Sequence, residues 1–154
     1  MSEYEFTVSL RIRHPTNDPR RITEALALEP QHIWKAGDPR RDAEGGELVG
    51  VYRESYWTGR LMDWPQLSSG QVSVETVLVQ VLAQLRRAQG FLDQLSSEGG
   101  VAELYVSIFA RASFRLELSP DLVAGFGRTR TAITLDVHPP LPSRDSSANG
   151  PRVA

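Results

Sequence analysis

The sequence predicts an α+β protein with a mainly antiparallel sheet and helices packed on one of its faces. Three observations lead to this prediction: alternating strands near both ends, a long amphipathic helix in the middle, and hairpins interleaved with helices. Strands that alternate between apolar and polar residues have one buried face, which is typical of antiparallel rather than doubly wound parallel sheets. The predicted order of elements is β-α-β-β-α-β-β-α-β.

Six strands are predicted from alternating residues and from β-branched and aromatic residues. They occupy, in chain order, residues 5–14, 31–36, 49–58, 102–110, 114–118 and 131–137. An exposed loop at residues 37–46 is expected to join the second and third strands, because its glycines, proline and aspartates favour turns. The buried face of the third strand stays open, since its odd and even positions both mix apolar with charged residues.

Three helices are predicted from capping residues and from apolar residues spaced three or four apart. Asp18 and Ser119 are expected to cap the first and third helices, because each precedes a proline at the first helical position. The long helix is expected from the apolar stripe between Val74 and Leu95, with Ser73 or a nearby serine as its cap, Gly90 as a candidate kink and Gly99-Gly100 at its end.

The composition is that of one globular domain. The 154 residues are 40% hydrophobic and 23% charged, and their net charge is −2. The absence of cysteine excludes disulfides, a cysteine nucleophile and thiolate metal sites. We expect the domain at residues 4–138 and a disordered tail, rich in proline and serine, at residues 139–154. The acidic start and the interrupted apolar regions indicate neither a signal peptide nor a membrane span, so the predicted compartment is the cytoplasm.

Several short motifs together resemble one bacterial protein family. They are Val8-Ser9-Leu10-Arg11-Ile12, Asp18-Pro19 with Ile22-Thr23, Leu26-Ala27-Leu28-Glu29-Pro30, Trp34-Lys35-Ala36-Gly37 and Tyr56-Trp57. The set resembles the bacterial family catalogued as domain of unknown function 4279, and the resemblance extends over nearly the whole folded unit. Because that family is uncharacterised, the resemblance implies no catalytic residue and no substrate.

No motif in the chain specifies an enzyme, so no cofactor is expected and the interpretation leans towards a binding protein. The three histidines, His14, His32 and His138, lack the spacing of a metal site. We expect His14 and His138 at strand ends near solvent. Pairing of the first and last strands would instead bring them together beside Asp136.

The polar face of the predicted sheet carries the candidate binding residues. If the aliphatic side chains lie beneath the helices, the opposite face presents arginines, aromatic rings and small polar residues, a composition typical of binding surfaces. A solvated sheet face without a ligand would have the same composition, and Trp34 and Trp57 also suit core packing. The candidate binding residues are Arg11, Arg13, Trp34, Arg53, Tyr56, Trp57, Tyr105 and Asp136.

Three functions are compatible with this pattern. We favour an interaction module, such as a bacterial immunity or accessory protein, that binds a protein partner through the arginine and aromatic face. The second is a small-molecule or anion site between the sheet and loop 37–46, lined by Arg11, Arg53 and Trp57. The third is self-association through the same face or through an edge strand. The net charge of −2 counts against a nucleic-acid partner.

Overall fold

Strands and helices make up most of the part of the chain that the computed structural model describes, residues 3–61 and 66–139. The strands are β1 Tyr4–His14, β2 Pro30–Trp34, β3 Pro39–Arg41, β4 Glu47–Val51, β5 Ser55–Arg60, β6 Leu67–Ser68, β7 Val101–Ala110 and β8 Thr131–His138. The helices are α1 Pro19–Leu26, α2 Val74–Arg87, α3 Gln89–Ser97 and α4 Pro120–Arg128. Apart from Pro139, the predicted tail lies outside the described residues. None of the described helices is long and apolar enough to span a membrane.

One mixed sheet carries the fold, in the order β2-β5-β1-β7-β8, and β6 pairs with β1 beyond the end of β5. All neighbours are antiparallel except β7 and β8, which are parallel. A second, two-stranded sheet of β3 and β4 forms a hairpin at residues 37–52, here called the arm. The predicted α+β class with a mainly antiparallel sheet is therefore confirmed.

Alternation along β1 and β7 decides which side of the sheet is buried. Phe6, Leu10 and Ile12 of β1 and Leu104 and Ile108 of β7 are fully buried and belong to one apolar core with residues of α1, α2, α3 and α4. The residues between them point to the other side and remain partly accessible to solvent. The helices therefore lie on one side of the sheet, as the sequence predicts.

The predicted caps begin three of the four helices. The Asp18, Ser73 and Ser119 side chains each accept a hydrogen bond from a backbone N–H in the first turn of their helix. The prolines at the starts of α1 and α4 have no backbone N–H. No hydrogen bond is lost there, because the first N–H groups of a helix have no acceptor within the helix. The long predicted helix is two helices, and the break lies at Ala88 rather than at Gly90.

The predicted strand at residues 49–58 is two strands in two different sheets. Its first part is β4 of the arm, and its second part is β5 of the main sheet, with a bend at Arg53 and Glu54 between them. The mixed faces of the sequence pattern follow from this break, because alternation restarts at Ser55. The predicted loop at residues 37–46 likewise contains a strand, β3, which pairs with β4.

The predicted strand at residues 114–118 is wrong. This segment has no strand partner among the described residues, although Phe114, Leu116 and Leu118 pack against the core. Their alternation comes from an extended connection that covers the core edge. The chain then passes through α4 and returns as β8, parallel to β7, so the expected hairpin is replaced by a crossover.

His14 is buried, which corrects the expectation of a strand-end histidine near solvent. It is 3% exposed, and its Nδ1 accepts the backbone N–H groups of Thr16 and Asn17 at 3.0 and 2.7 Å. The ring proton therefore lies on Nε2, which donates to Glu98 Oε2 at 2.9 Å. His138 does not approach it, since β7 separates β1 from β8.

Candidate binding face

The side of the sheet away from the helices is here called the open face. Its side chains come from alternate residues of β2, β5, β1, β7 and β8, and most are half-exposed. The strand registers place these side chains in rows that cross the sheet. The first row runs from β2 to β7 and consists of Trp34, Tyr56, Arg13 and Val101. The second runs from β2 to β8 and consists of His32, Thr58, Arg11, Glu103 and Ala132. The third runs from β5 to β8 and consists of Arg60, Ser9, Tyr105 and Thr134.

Arg11 lies at the centre of the open face and stacks on a ring. Its guanidinium carbon is 3.6 Å from the centre of the Tyr105 ring, a cation–π contact. Glu103 stands directly opposite Arg11 on β7 but accepts a hydrogen bond from Thr134 Oγ1 at 2.9 Å instead. Arg11, Arg13 and Arg60 form no ion pair with any described carboxylate. Among the described residues, the open face therefore has a basic half whose arginines form no salt bridge.

A chain of polar contacts continues from Tyr105 towards the edge of the sheet. The Tyr105 hydroxyl donates to Asp136 Oδ2, and the same oxygen lies 3.2 Å from His138 Nε2. The His138 ring stacks on Phe109, with ring centres 5.0 Å apart. Glu103 and Asp136 thus make this half of the open face acidic, opposite in sign to the half that carries the arginines.

The carboxylate of Asp136 controls the ionisation of Tyr105. Its hydrogen bond with the phenol raises the pKa of Tyr105 above the usual range, and desolvation and the negative charge of Asp136 act in the same direction. The positive charge of Arg11 partly offsets this rise. A group whose folded pKa is raised stabilises the fold below its unfolded pKa, and this stability is lost as the pH rises through the folded pKa.

We expect Asp136→Asn to lower the pKa of Tyr105 towards its usual value. The amide can still accept a hydrogen bond, but it removes the negative charge that disfavours the phenolate. Ultraviolet difference titration measures this change, with Tyr105→Phe as the reference that isolates one of the four tyrosines. An unchanged titration of Tyr105 in Asp136→Asn would show that the contact with Asp136 does not form in solution.

A ladder of three rings holds the arm against the edge of the sheet. Trp34 of β2 stacks on Tyr56 at 4.3 Å and on Tyr52 of the arm at 4.7 Å between ring centres. Beyond this ladder the arm is exposed, and Val49 is 93% accessible. Trp34 therefore joins the open face to the arm, and its stacking surface is occupied by neighbouring residues.

The structure brings together six of the eight predicted binding residues. Arg11, Arg13, Tyr56, Tyr105 and Asp136 lie on the open face, and Trp34 lies at its edge. The remaining two, Arg53 and Trp57, lie elsewhere. Whether any of the six binds a partner stays a prediction.

Trp57 and Arg53 do not belong to the open face. Trp57 points into the core, is fully buried, and donates its indole N–H to Thr23 Oγ1 of α1 at 3.0 Å. Arg53 is exposed in the bend between β4 and β5 and is not part of a strand. Both corrections follow from the break near residue 53, which the sequence pattern concealed.

The prediction missed Arg60 and Thr58. Both alternate with Trp57 along β5, so treating residues 55–60 as a separate strand would have placed them opposite it. Thr58 is 6% exposed, and its hydroxyl has no hydrogen-bond partner in the described part of the chain. Thr58 is therefore covered by its neighbours, and Arg60 adds the third arginine of the open face.

Two cavities lie at the rim of the main sheet, and the first of them borders the open face. One, of about 550 Å³, lies at a corner beside Glu5 and Phe109. Another, of about 330 Å³, lies between residues 18–20 at the start of α1 and residues 33–38 at the base of the arm. Of the predicted loop 37–46 only Asp38 lines this second cavity, and Arg11, Arg53 and Trp57 do not line it, so it is not the small-molecule pocket that the sequence predicts.

The fold and the open face define a class: a two-layer α+β protein with helices on one side of its sheet and an arginine and aromatic surface on the other. The chain belongs to the family described as "Domain of unknown function (DUF4279)", whose profile matches residues 3–140. This confirms the resemblance seen in the sequence motifs. Neither the curated proteins nor the solved structures include a significant match to the chain.

Proposed function

We propose that this protein is a cytoplasmic interaction module that binds a protein partner through its open face. The observation that carries the proposal is the group of three arginines that form no ion pair with a carboxylate in the described part of the chain, next to half-exposed rings and with an acidic half beside them. Arginine and aromatic residues are enriched where proteins bind one another. An immunity or accessory protein is one form of such a module.

The charge pattern supports a protein rather than a nucleic-acid partner. Arg11 and Arg13 would attract phosphates, but Glu103 and Asp136 on the same face would repel them, and the net charge is −2. Rings that bind bases need a free face for stacking. Here Trp34 stacks with two tyrosines and Arg11 covers the ring of Tyr105. A partner with both signs of charge complements this surface best.

The test compares two pairs of exposed or half-exposed arginines. Arg11→Ala/Arg13→Ala removes the basic half of the open face, and Arg86→Ala/Arg87→Ala removes two exposed arginines from α2 on the helix side. We expect a partner isolated from host extract, and then purified, to lose binding to the first variant by about 10- to 100-fold, the cost of losing contacts worth 1.4–2.8 kcal/mol. Calorimetry or surface plasmon resonance measures the loss.

The second variant pair sets the baseline for this test. Arg86→Ala/Arg87→Ala should bind like the wild-type protein, and circular dichroism should show that both variants stay folded. Equal binding by the wild type and by Arg11→Ala/Arg13→Ala would exclude the open face as the docking surface. A purified partner that is a nucleic acid would exclude the choice of partner class.

A further inference from the structure

The two edges of the main sheet differ in how well they are protected from pairing with another strand. β2 has five residues, begins at Pro30, contains a register shift, and carries the arm stacked on Trp34. β8 has eight residues, contains no proline, lysine or arginine, and has no strand on its outer side in the described part of the chain. Natural proteins usually use a short strand, a proline, a register shift or a covering segment to protect a free sheet edge from pairing, as at β2. In the part of the chain that the structure describes, only the β2 edge carries such features.

The helix-side residues of β8 become more exposed along the strand. Thr131 is 5% exposed and Ile133 is partly buried, whereas Leu135 is 39% and Val137 is 53% exposed. α4 precedes β8 and packs against it, and the exposures show that the cover over this side of β8 ends before Leu135. The second half therefore combines free backbone hydrogen-bonding groups with two uncovered aliphatic side chains.

We propose that β8 pairs with β8 of a second copy of this chain, antiparallel and around a two-fold axis normal to the sheet. In a register centred on Leu135, this residue faces its own counterpart, and Val137 faces Ile133 of the second copy. Asp136 then faces a neutral residue, Thr134. A register centred on Asp136 would place two carboxylates directly opposite each other, which is destabilising.

A second copy suits this edge better than an unrelated strand does. The exposed aliphatic residues lie at every second position on one side, so two antiparallel copies cover each other with the same residues, as in an isologous interface. A contact of one strand pair buries less area than the 1,200–2,000 Å² or so typical of stable complexes. We therefore expect a reversible dimer.

The dimer would join two open faces into one surface. A two-fold axis normal to the sheet keeps both open faces on the same side, so the two five-strand paths become one continuous ten-stranded sheet. Asp136 and His138 would then lie near the centre of the combined surface. This inference does not depend on the proposed function, because the edge can pair whether or not the open face binds a partner.

The test measures the mass and the amide exchange of the full chain as the protein concentration varies. We expect a concentration-dependent dimer by light scattering and sedimentation, with amides 132–138 exchanging more slowly at high concentration. Val137→Lys should abolish the dimer and leave the fold intact. Val49→Lys is the matched control, since Val49 is a 93% exposed strand valine of the arm, and it should still dimerise.

Two results would overturn the inference. One is a monomeric wild type at every concentration, with no change in exchange at residues 132–138. The other is a dimer that persists in Val137→Lys, which would place the contact elsewhere. Arg11→Ala/Arg13→Ala should remain dimeric, so a dimer lost only in this variant would point to the open face instead.

Discussion

Replacement of Trp57 with alanine is expected to lower the free energy of unfolding by about 3–5 kcal/mol, the usual cost of deleting a buried indole. Trp57 is fully buried, and its N–H donates to Thr23 of α1. Its ring lies directly over Gly59, where any Cβ would collide with it. The loss combines a cavity with a broken contact between β5 and α1. Urea denaturation followed by circular dichroism measures it.

Trp34→Ala is the matched control for the deletion of an indole. Trp34 is half-buried and stacks with Tyr52 and Tyr56, and two aromatic pairs contribute about 1–3 kcal/mol together. Trp57→Phe should cost less than Trp57→Ala, because it keeps most of the ring volume. If Trp57→Ala were no more destabilising than Trp34→Ala, Trp57 would not be a core residue, and it would again be a candidate binding residue at the surface.

The position of Trp57 shows where the sequence pattern reaches its limit. Alternation identifies which residues share a face only within one continuous strand. The bend at Arg53 resets the alternation, so Tyr56 and Trp57 could not be assigned to faces from the pattern of residues 49–58. The starts of α1 and α4 could be predicted because a helix start depends on one capping side chain, Asp18 or Ser119, and the residues next to it.

Much of the open face could be predicted, but its contacts could not. The alternation of β1, β7 and β8 places Arg11, Tyr105 and Asp136 on one side of the sheet without knowledge of the pairing. The register decides that Arg11 stacks on Tyr105 while Glu103 turns to Thr134. These contacts join residues that are 94 and 31 positions apart in the chain, and a single sequence contains no direct signal for such a register.

The parallel pairing of β7 and β8 was missed for a related reason. Residues 114–118 alternate like a strand, and a hairpin is the simplest connection between neighbouring strands. In the structure their apolar side chains cover the core edge, while the backbone N–H of Glu117 donates to Glu75 Oε1 at 3.0 Å. Alternation thus reports a buried side, and it does not require a neighbouring strand.

His14→Leu is expected to lower the free energy of unfolding by about 2–4 kcal/mol, because it leaves two part-buried backbone N–H groups without an acceptor. His14 Nδ1 accepts from Thr16 and Asn17, and its Nε2–H donates to Glu98. These contacts fix the turn after β1 and connect it to the end of α3. A leucine of similar volume fills the space but cannot accept a hydrogen bond. Chemical denaturation measures the loss.

His138→Leu controls for the loss of a histidine. Because His138 is half-exposed, this substitution should lower the free energy of unfolding by less than about 1 kcal/mol.

Acid denaturation adds a second measurement. Hydrogen bonds from Gln94 and His14 hold the pKa of Glu98 below its usual value, so the stability they give is lost as the pH falls through the folded pKa. His14→Leu should weaken this acid dependence, because only the hydrogen bond from Gln94 and the charge of Arg21 then lower the pKa of Glu98. If the two leucine variants were equally stable, His14 would not be a buried residue whose Nδ1 accepts two backbone hydrogen bonds.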